Sequence, residues 1–145
     1  MIRKLEEKDI DRVMNIWFES NRKAHDFILK KYWLEHYEMV KKMIPQSEVY
    51  VSIDNQSKAI QGFIGLDDEY IMGIFVDIQK QSHGVGRQLL KFVKSKKKNL
   101  SLNVYQKNKR AIQFYLKNGF IIVEDGFDED TMEKEYTMVY KDKQI

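Results

Sequence analysis

Residues 70–94 read "YIMGIFVDIQKQSHGVGRQLLKFVK". The stretch starts as an apolar run of strand type, passes two glycines one residue apart at Gly84 and Gly86, and continues with Val85, Leu89, Phe92 and Val93 at helical spacing. A strand that leads through a glycine loop into a helix leaves the first-turn N–H groups without intrahelical acceptors, where they can meet an anion. Taken alone, the glycines justify no more than a tight turn that lets the helix pack closely on the sheet. A dinucleotide fingerprint fits poorly: Leu89 stands where the third glycine belongs, and no acidic strand end follows about twenty residues on. The Lys plus Ser/Thr of a Walker loop is also missing.

Upstream, Val49, Val51 and Ile53 alternate as a strand, as do Ile60, Gly62, Ile64 and Leu66. Short polar turns join these runs to "YIMGIFV", which predicts an antiparallel meander. Nearer the N-terminus, Ile2 to Leu5 start a strand, and Asp9 is placed to cap a helix with Ile10, Val13, Met14, Trp17 and Phe18 on one face. "ESNRKAHDF" interrupts that pattern. Trp33, Tyr37, Val40 and Ile44 then mark a second helix, which Pro45 stops. Downstream come a strand "LSLNV", a helix "NKRAIQFYLKN" closed by Gly119, a strand "FIIV", an acidic loop "DGFDED" and a last strand with Tyr136, Met138 and Tyr140 on one face. The order predicts an α/β (α+β) mixed sheet with helices on both faces, as a single domain over 1–145.

The chain has 145 residues and no cysteine, so disulfides, thiolate metal sites and a cysteine nucleophile are excluded. His25, His36 and His83 are scattered, and no metal site is expected. A net charge of +3 is mild for a nucleic-acid binder, and the run "KSKKK" reads as a solvated helix end. No run of about eighteen apolar residues occurs, and "MIRKLEEKDI" lacks the apolar core of a signal peptide. The expectations are a cytoplasmic protein that binds neither membrane nor nucleic acid. Exposed strand edges leave a homodimer open.

A phosphate site gains support from "NVYQKNKRAIQFYLKNGF", where Asn108, Ala111 and Tyr115 share one helix face. With that segment, "VDIQKQSHGVGRQLL" resembles the Q/R-x-x-G-x-G/A acyl-CoA signature of the GNAT superfamily of N-acetyltransferases, and "NKRAIQFY" followed by "GF" resembles its second signature. The likeness extends over nearly the whole chain and is strongest to small stand-alone bacterial members. Ile78 departs from the proline that many members carry there.

The resemblance implies a central, mostly antiparallel sheet of about seven strands with a splayed parallel pair. It implies acetyl-CoA as acyl donor and a primary amine, of a protein lysine or a small molecule, as acceptor, joined by direct attack. Pantetheine would lie along main-chain groups near Phe75 and Val76, at a strand bent by a bulge near Gly73. Pyrophosphate would sit on Gln81, Ser82, His83, Gly84, Val85, Gly86 and Arg87, with Asn108 contacting the cofactor's amide chain. Tyr115 would protonate the departing thiolate. Glu69 and His25 are candidate bases, and Phe27, Tyr32, Trp33 and Tyr70 are candidate walls of the acceptor pocket. The alternative is a non-catalytic acyl-CoA sensor or protein-interaction module on the same fold.

Overall fold

The structure is a computed structural model that describes residues 1–142. The chain forms β1 (Ile2–Lys4), α1 (Ile10–Ala24), α2 (Lys30–Met43), β2 (Glu48–Ile53), β3 (Ile60–Asp67), β4 (Tyr70–Val76), α3 (Val85–Lys94), β5 (Asn99–Tyr105), α4 (Lys109–Lys117), β6 (Ile121–Asp128) and β7 (Glu133–Lys141). This is the element order expected from the sequence. The strands make one sheet in the order β1-β2-β3-β4-β5-β7-β6, antiparallel throughout except between β4 and β5.

Strand alternation divides the core in two. Leu89, Leu90 and Val93 of α3 and Ile112 and Tyr115 of α4 pack on one face against Ile64, Ile71, Leu100, Leu102 and Met138. Val13, Met14 and Trp17 of α1 and Trp33 and Val40 of α2 cover the other face at Val49, Val51 and Phe63. Each such buried aliphatic side chain contributes roughly 1.5–3 kcal/mol, so both helix layers are held by their apolar stripes.

Several local expectations need correction. α1 does not stop at Phe18 but runs to Ala24, because buried Ser20 and Asn21 satisfy themselves on the preceding turn: Ser20 Oγ donates to Ile16 O at 2.6 Å and Asn21 Nδ2 to Trp17 O at 2.9 Å. Asp9 does not cap α1. Its carboxylate instead accepts from Glu6 N at 2.8 Å and from both ends of the Arg3 guanidinium at 2.7 and 3.0 Å. "DGFD" is strand, not loop, so β6 extends to Asp128. The lysine run is not simply solvated: Lys94 sits 4.2 Å above the Tyr140 ring and donates to Asn118 O, and Lys97 pairs with Glu48 at 2.8 Å.

Two backbone features shape the site. At β3–β4 the register shifts so that Met72 is an extra residue between the pairs Leu66↔Ile71 and Gly65↔Gly73. Such a bulge bends its strand. β4 and β5 then pair only at Tyr70↔Ser101, with Ser101 N donating to Glu69 O at 3.0 Å, and separate beyond that point.

Candidate active site

The wedge between β4 and β5 has its apex at Tyr70 and Ser101 and its mouth at the C-terminal ends of both strands. Asp77 N donates to Gln61 O at 2.9 Å, so by strand alternation the main-chain groups of Val76 and Ile74 face the wedge, while those of Phe75 are turned to Phe63. The Phe75 ring stacks on Phe63 at 4.9 Å and folds over Gly73, where a Cβ would lie 2.2 Å from it.

At the mouth stands the glycine loop. Gly84 has φ +83° at the N-terminus of α3, a left-handed conformation that glycine adopts without strain. A Cβ there would meet nothing within 4 Å, so Gly84 borders open space rather than a packed neighbour. Gly86 is different: a Cβ would come 3.4 Å from the Phe114 ring. The loop is tied to both flanking layers. Arg110 of α4 donates to Gln81 Oε1 at 3.1 Å and to Ser82 Oγ at 2.8 Å, while Lys23 of α1 reaches Gln81 Oε1 at 3.3 Å. Gln81 Nε2 in turn donates to Val76 O at 3.3 Å. His83 and Arg87 are exposed. Free first-turn amides, a left-handed glycine on open space and a wedge of unpaired strand suit a phosphate-bearing chain that enters from the mouth.

Tyr115 comes from α4 on the far side of the sheet, and its ring packs edge-on to Phe114 and Phe120. Burial pushes its phenol well above the ordinary value, and Tyr70 adds to the rise. Tyr70 lies on the opposite face, where its Oη donates to Asn103 Oδ1 at 2.9 Å and Asn103 Nδ2 donates to Thr137 Oγ1 at 3.0 Å. The two tyrosines therefore approach the apex from opposite faces of the sheet.

His25, Phe27, Tyr32 and Trp33 gather at the other end of β5. His25 stacks on Trp33 at 5.6 Å and meets Phe27 and Tyr105 edge-on, while Tyr32 packs against Trp33 at 4.9 Å. Asn108 joins this cluster to α4. Its Oδ1 accepts from Ala111 N at 3.2 Å as the helix cap, which orients its Nδ2 as the donor to His25 Nε2 at 3.1 Å. His25 Nε2 is thus an acceptor, and the ring proton belongs on Nδ1. Burial holds this imidazole neutral, with its pKa down to about 4. The one lone-pair nitrogen of His25 is thus taken up by Asn108, which spends one of its two amide N–H groups there. Glu69 lies on the exposed turn at the closed end of the wedge and contributes its carbonyl to Ser101.

Residues 19–135 match the sequence profile of the acetyltransferase (GNAT) domain. The chain belongs to the GNAT acetyltransferase family. It is 28% identical over 132 residues to peptidyl-lysine N-acetyltransferase YiaC of Escherichia coli, covering 90% of each chain. The solution structure of apo YjaB from Escherichia coli superposes with a TM-score of 0.85 at 25% identity, over 97% of this chain and 96% of that one. An acetyltransferase of Bacillus anthracis solved with acetyl coenzyme A matches 66% of this chain and 62% of its own, with a TM-score of 0.58 and 25% identity. The GNAT protein is therefore an acetyl-CoA-dependent N-acetyltransferase acting on a primary amine, and the catalytic reading stands over the sensor. Among the described residues no helix is long and apolar enough to cross a membrane, and no cluster of metal-ligating side chains occurs.

Sequence reading missed Asn103, Tyr105, Arg110 and Glu135. The alternation that puts Tyr136, Met138 and Tyr140 on the core face already places Glu135 and Thr137 on the other, but which strand lies beside them is set by the crossover to β5, which has no local signal.

Proposed function

We propose that the acceptor of this GNAT enzyme is the ε-amine of a protein lysine. The observation that carries the reading is the sheet face that runs from Tyr70 at the wedge apex past Asn103 to Tyr105 at its mouth, where aromatic rings and acidic groups gather. Tyr105 donates to Asp128 at 2.6 Å, Glu135 stands opposite Tyr105 across β5 and β7, and Phe27 already holds the Lys107 ammonium 5.4 Å above its ring. Rings and carboxylates together suit a long alkyl chain that ends in a cation. The naming of YiaC and YjaB as peptidyl-lysine N-acetyltransferases supports the same acceptor.

Acetyl-CoA supplies an activated thioester carbonyl. In this reading the Gln81–Arg87 loop holds its pyrophosphate, main-chain groups of β4 at the wedge hold its amide chain, and one N–H there faces the developing oxyanion. The amine nitrogen bonds to the carbonyl carbon, the C–S bond breaks with its electrons on sulfur, and Tyr115 Oη gives the thiolate its proton. A phenol held far above the usual range is a weak acid toward a thiolate near ~8.5, so placement beside the sulfur must supply what acidity does not. The partners in this reading are acetyl-CoA and the amine, in the cytoplasm, with no nucleic acid.

The test is to incubate the protein with acetyl-CoA and a panel of lysine peptides, polyamines, free amino acids and aminoglycosides, measuring CoA release and mapping products by mass spectrometry. Acetyl on lysine Nε at the highest kcat/KM supports the reading. Turnover confined to the small amines overturns it.

A further inference from the structure

We infer that Glu135 is the group that receives the acceptor's ammonium and takes its proton. The inference rests on the amine-acetylating reading above, and four observations carry it. Glu135 lies on the same sheet face as Tyr70, Asn103 and Thr137, since it pairs with Tyr105 of β5 two residues along from the Asn103↔Thr137 pair. Its neighbour on the other side is Gly126 of β6, which has no side chain to cover it; a Cβ there would lie 3.7 Å from Glu135 Cγ. Among the described residues no hydrogen bond or ion pair engages its carboxylate, whereas the nearby acids are occupied: Asp128 accepts from Tyr105, and Glu133 pairs with Lys107 at 3.1 Å. Finally, Tyr70 Oη at the apex donates to Asn103 Oδ1 at 2.9 Å, which ties it to the β5 position next to the Tyr105↔Glu135 pair on the same sheet face.

Burial and, secondarily, Asp128 raise the Glu135 pKa, which strengthens it as a base. The groups around it are Asp128 and Glu133 from β6 and β7, Tyr105 from β5 and Tyr70 from β4, with Lys107 held on Glu133. An unassisted lysine is neutral in only about one molecule in a thousand near pH 7.4, given its pKa of about 10.4. A carboxylate beside the ammonium gives that proton a short path out of the complex, and although the transfer stays uphill, a raised Glu135 pKa narrows the gap. The protons balance: the ammonium gives one to Glu135 before attack, and the nitrogen, once bonded to the carbonyl carbon, gives its second to the Tyr115 phenolate in place of the proton lost to sulfur. Glu135 releases its own to solvent at the open face.

The test compares wild type with Glu135→Gln, which keeps shape and removes basicity. The expected result is a loss of about 10²-fold in kcat/KM for the amine at neutral pH, a KM for acetyl-CoA unchanged, and activity recovering as pH rises and free amine accumulates. Full activity with an unaltered pH profile overturns the inference. A measurement independent of turnover separates it from the acceptor assignment: in wild type bound to CoA, N-acetyl-lysine methylamide carrying a free ε-amine should shift the Glu135 carboxyl carbon in NMR titration. Absence of that shift in an enzyme that acetylates this lysine compound overturns the inference. An enzyme that turns over only small amines, yet shows the Glu135→Gln loss with them, instead sinks the protein-lysine reading alone.

Discussion

Lowering the pH from 7 to 5 should destabilise the protein through His25. Its folded pKa of about 4 lies below the 6.5 of the unfolded chain, so the unfolded state binds the extra proton. The stability at stake is complete above 6.5, falls as pH drops toward 4 and does not fall further on this account below that. Linkage puts the loss at about 2 kcal/mol at pH 5 against about 0.2 at pH 7. The cause is local: charging the ring means ionising an imidazole packed among Trp33, Phe27 and Tyr105, with the Asn108 donor facing Nε2. The assay is urea unfolding of wild type and His25→Gln at both pH values. The variant removes the titration while leaving an oxygen able to accept from Asn108. Asp9 and Glu48, whose pKa values are lowered by their Arg3 and Lys97 partners, contribute acid sensitivity to both proteins and cancel in the comparison. Wild type should lose about 2 kcal/mol more than the variant, equivalent to about 4–8 °C in Tm at this chain length. Equal pH dependence in the two proteins would refute a neutral, buried His25.

Tyr115→Phe should lower kcat by about 10²–10⁴-fold while the KM for acetyl-CoA changes little; undiminished turnover in steady-state assays excludes the acid role. Asn108→Ala removes the cap for Ala111 N–H and the partner of His25, at a cost of about 1 kcal/mol each. Asn108→Asp keeps the cap and should recover about half of that loss in urea midpoints. Gly84→Ala places a side chain at φ +83°, which costs about 1–2 kcal/mol. Because the space there is open, the protein should still fold with a lowered Tm, and calorimetry should show weaker acetyl-CoA binding; an unchanged affinity separates the loop from the donor.

The element order and the glycine loop were legible because each rests on local periodicity or on a residue with one conformational use. Gly119 is an example: at φ +89° it ends α4 while Phe120 N donates back to Tyr115 O at 3.0 Å. What escaped was decided at longer range. Ser20 and Asn21 read as helix breakers until Ile16 and Trp17 carbonyls receive their donors. Asp9 reads as a cap until Arg3, from the neighbouring strand, claims it. The family resemblance points to main-chain groups near Phe75 and Val76, whereas the ladder turns the main chain of Phe75 to Phe63 and leaves Ile74 with Val76 on the wedge. The proposed acceptor face is harder still, since Glu135 comes to lie beside β5 only because β7 inserts between β5 and β6.

The wedge also makes the sheet an incomplete ladder. Unpaired main-chain groups normally sit at the outer edge of a sheet, where another chain can add to them; in this fold they lie at its centre, between β4 and β5. A donor laid into that seam would stand in for missing strand pairing, so substrate binding and completion of the fold become one event. Hydrogen exchange should register this directly, with Ile74 and Val76 amides exchanging freely in the apoprotein and slowing as CoA saturates it. The stability gained should grow as the logarithm of ligand concentration, which ties the protein's persistence to the supply of its own substrate.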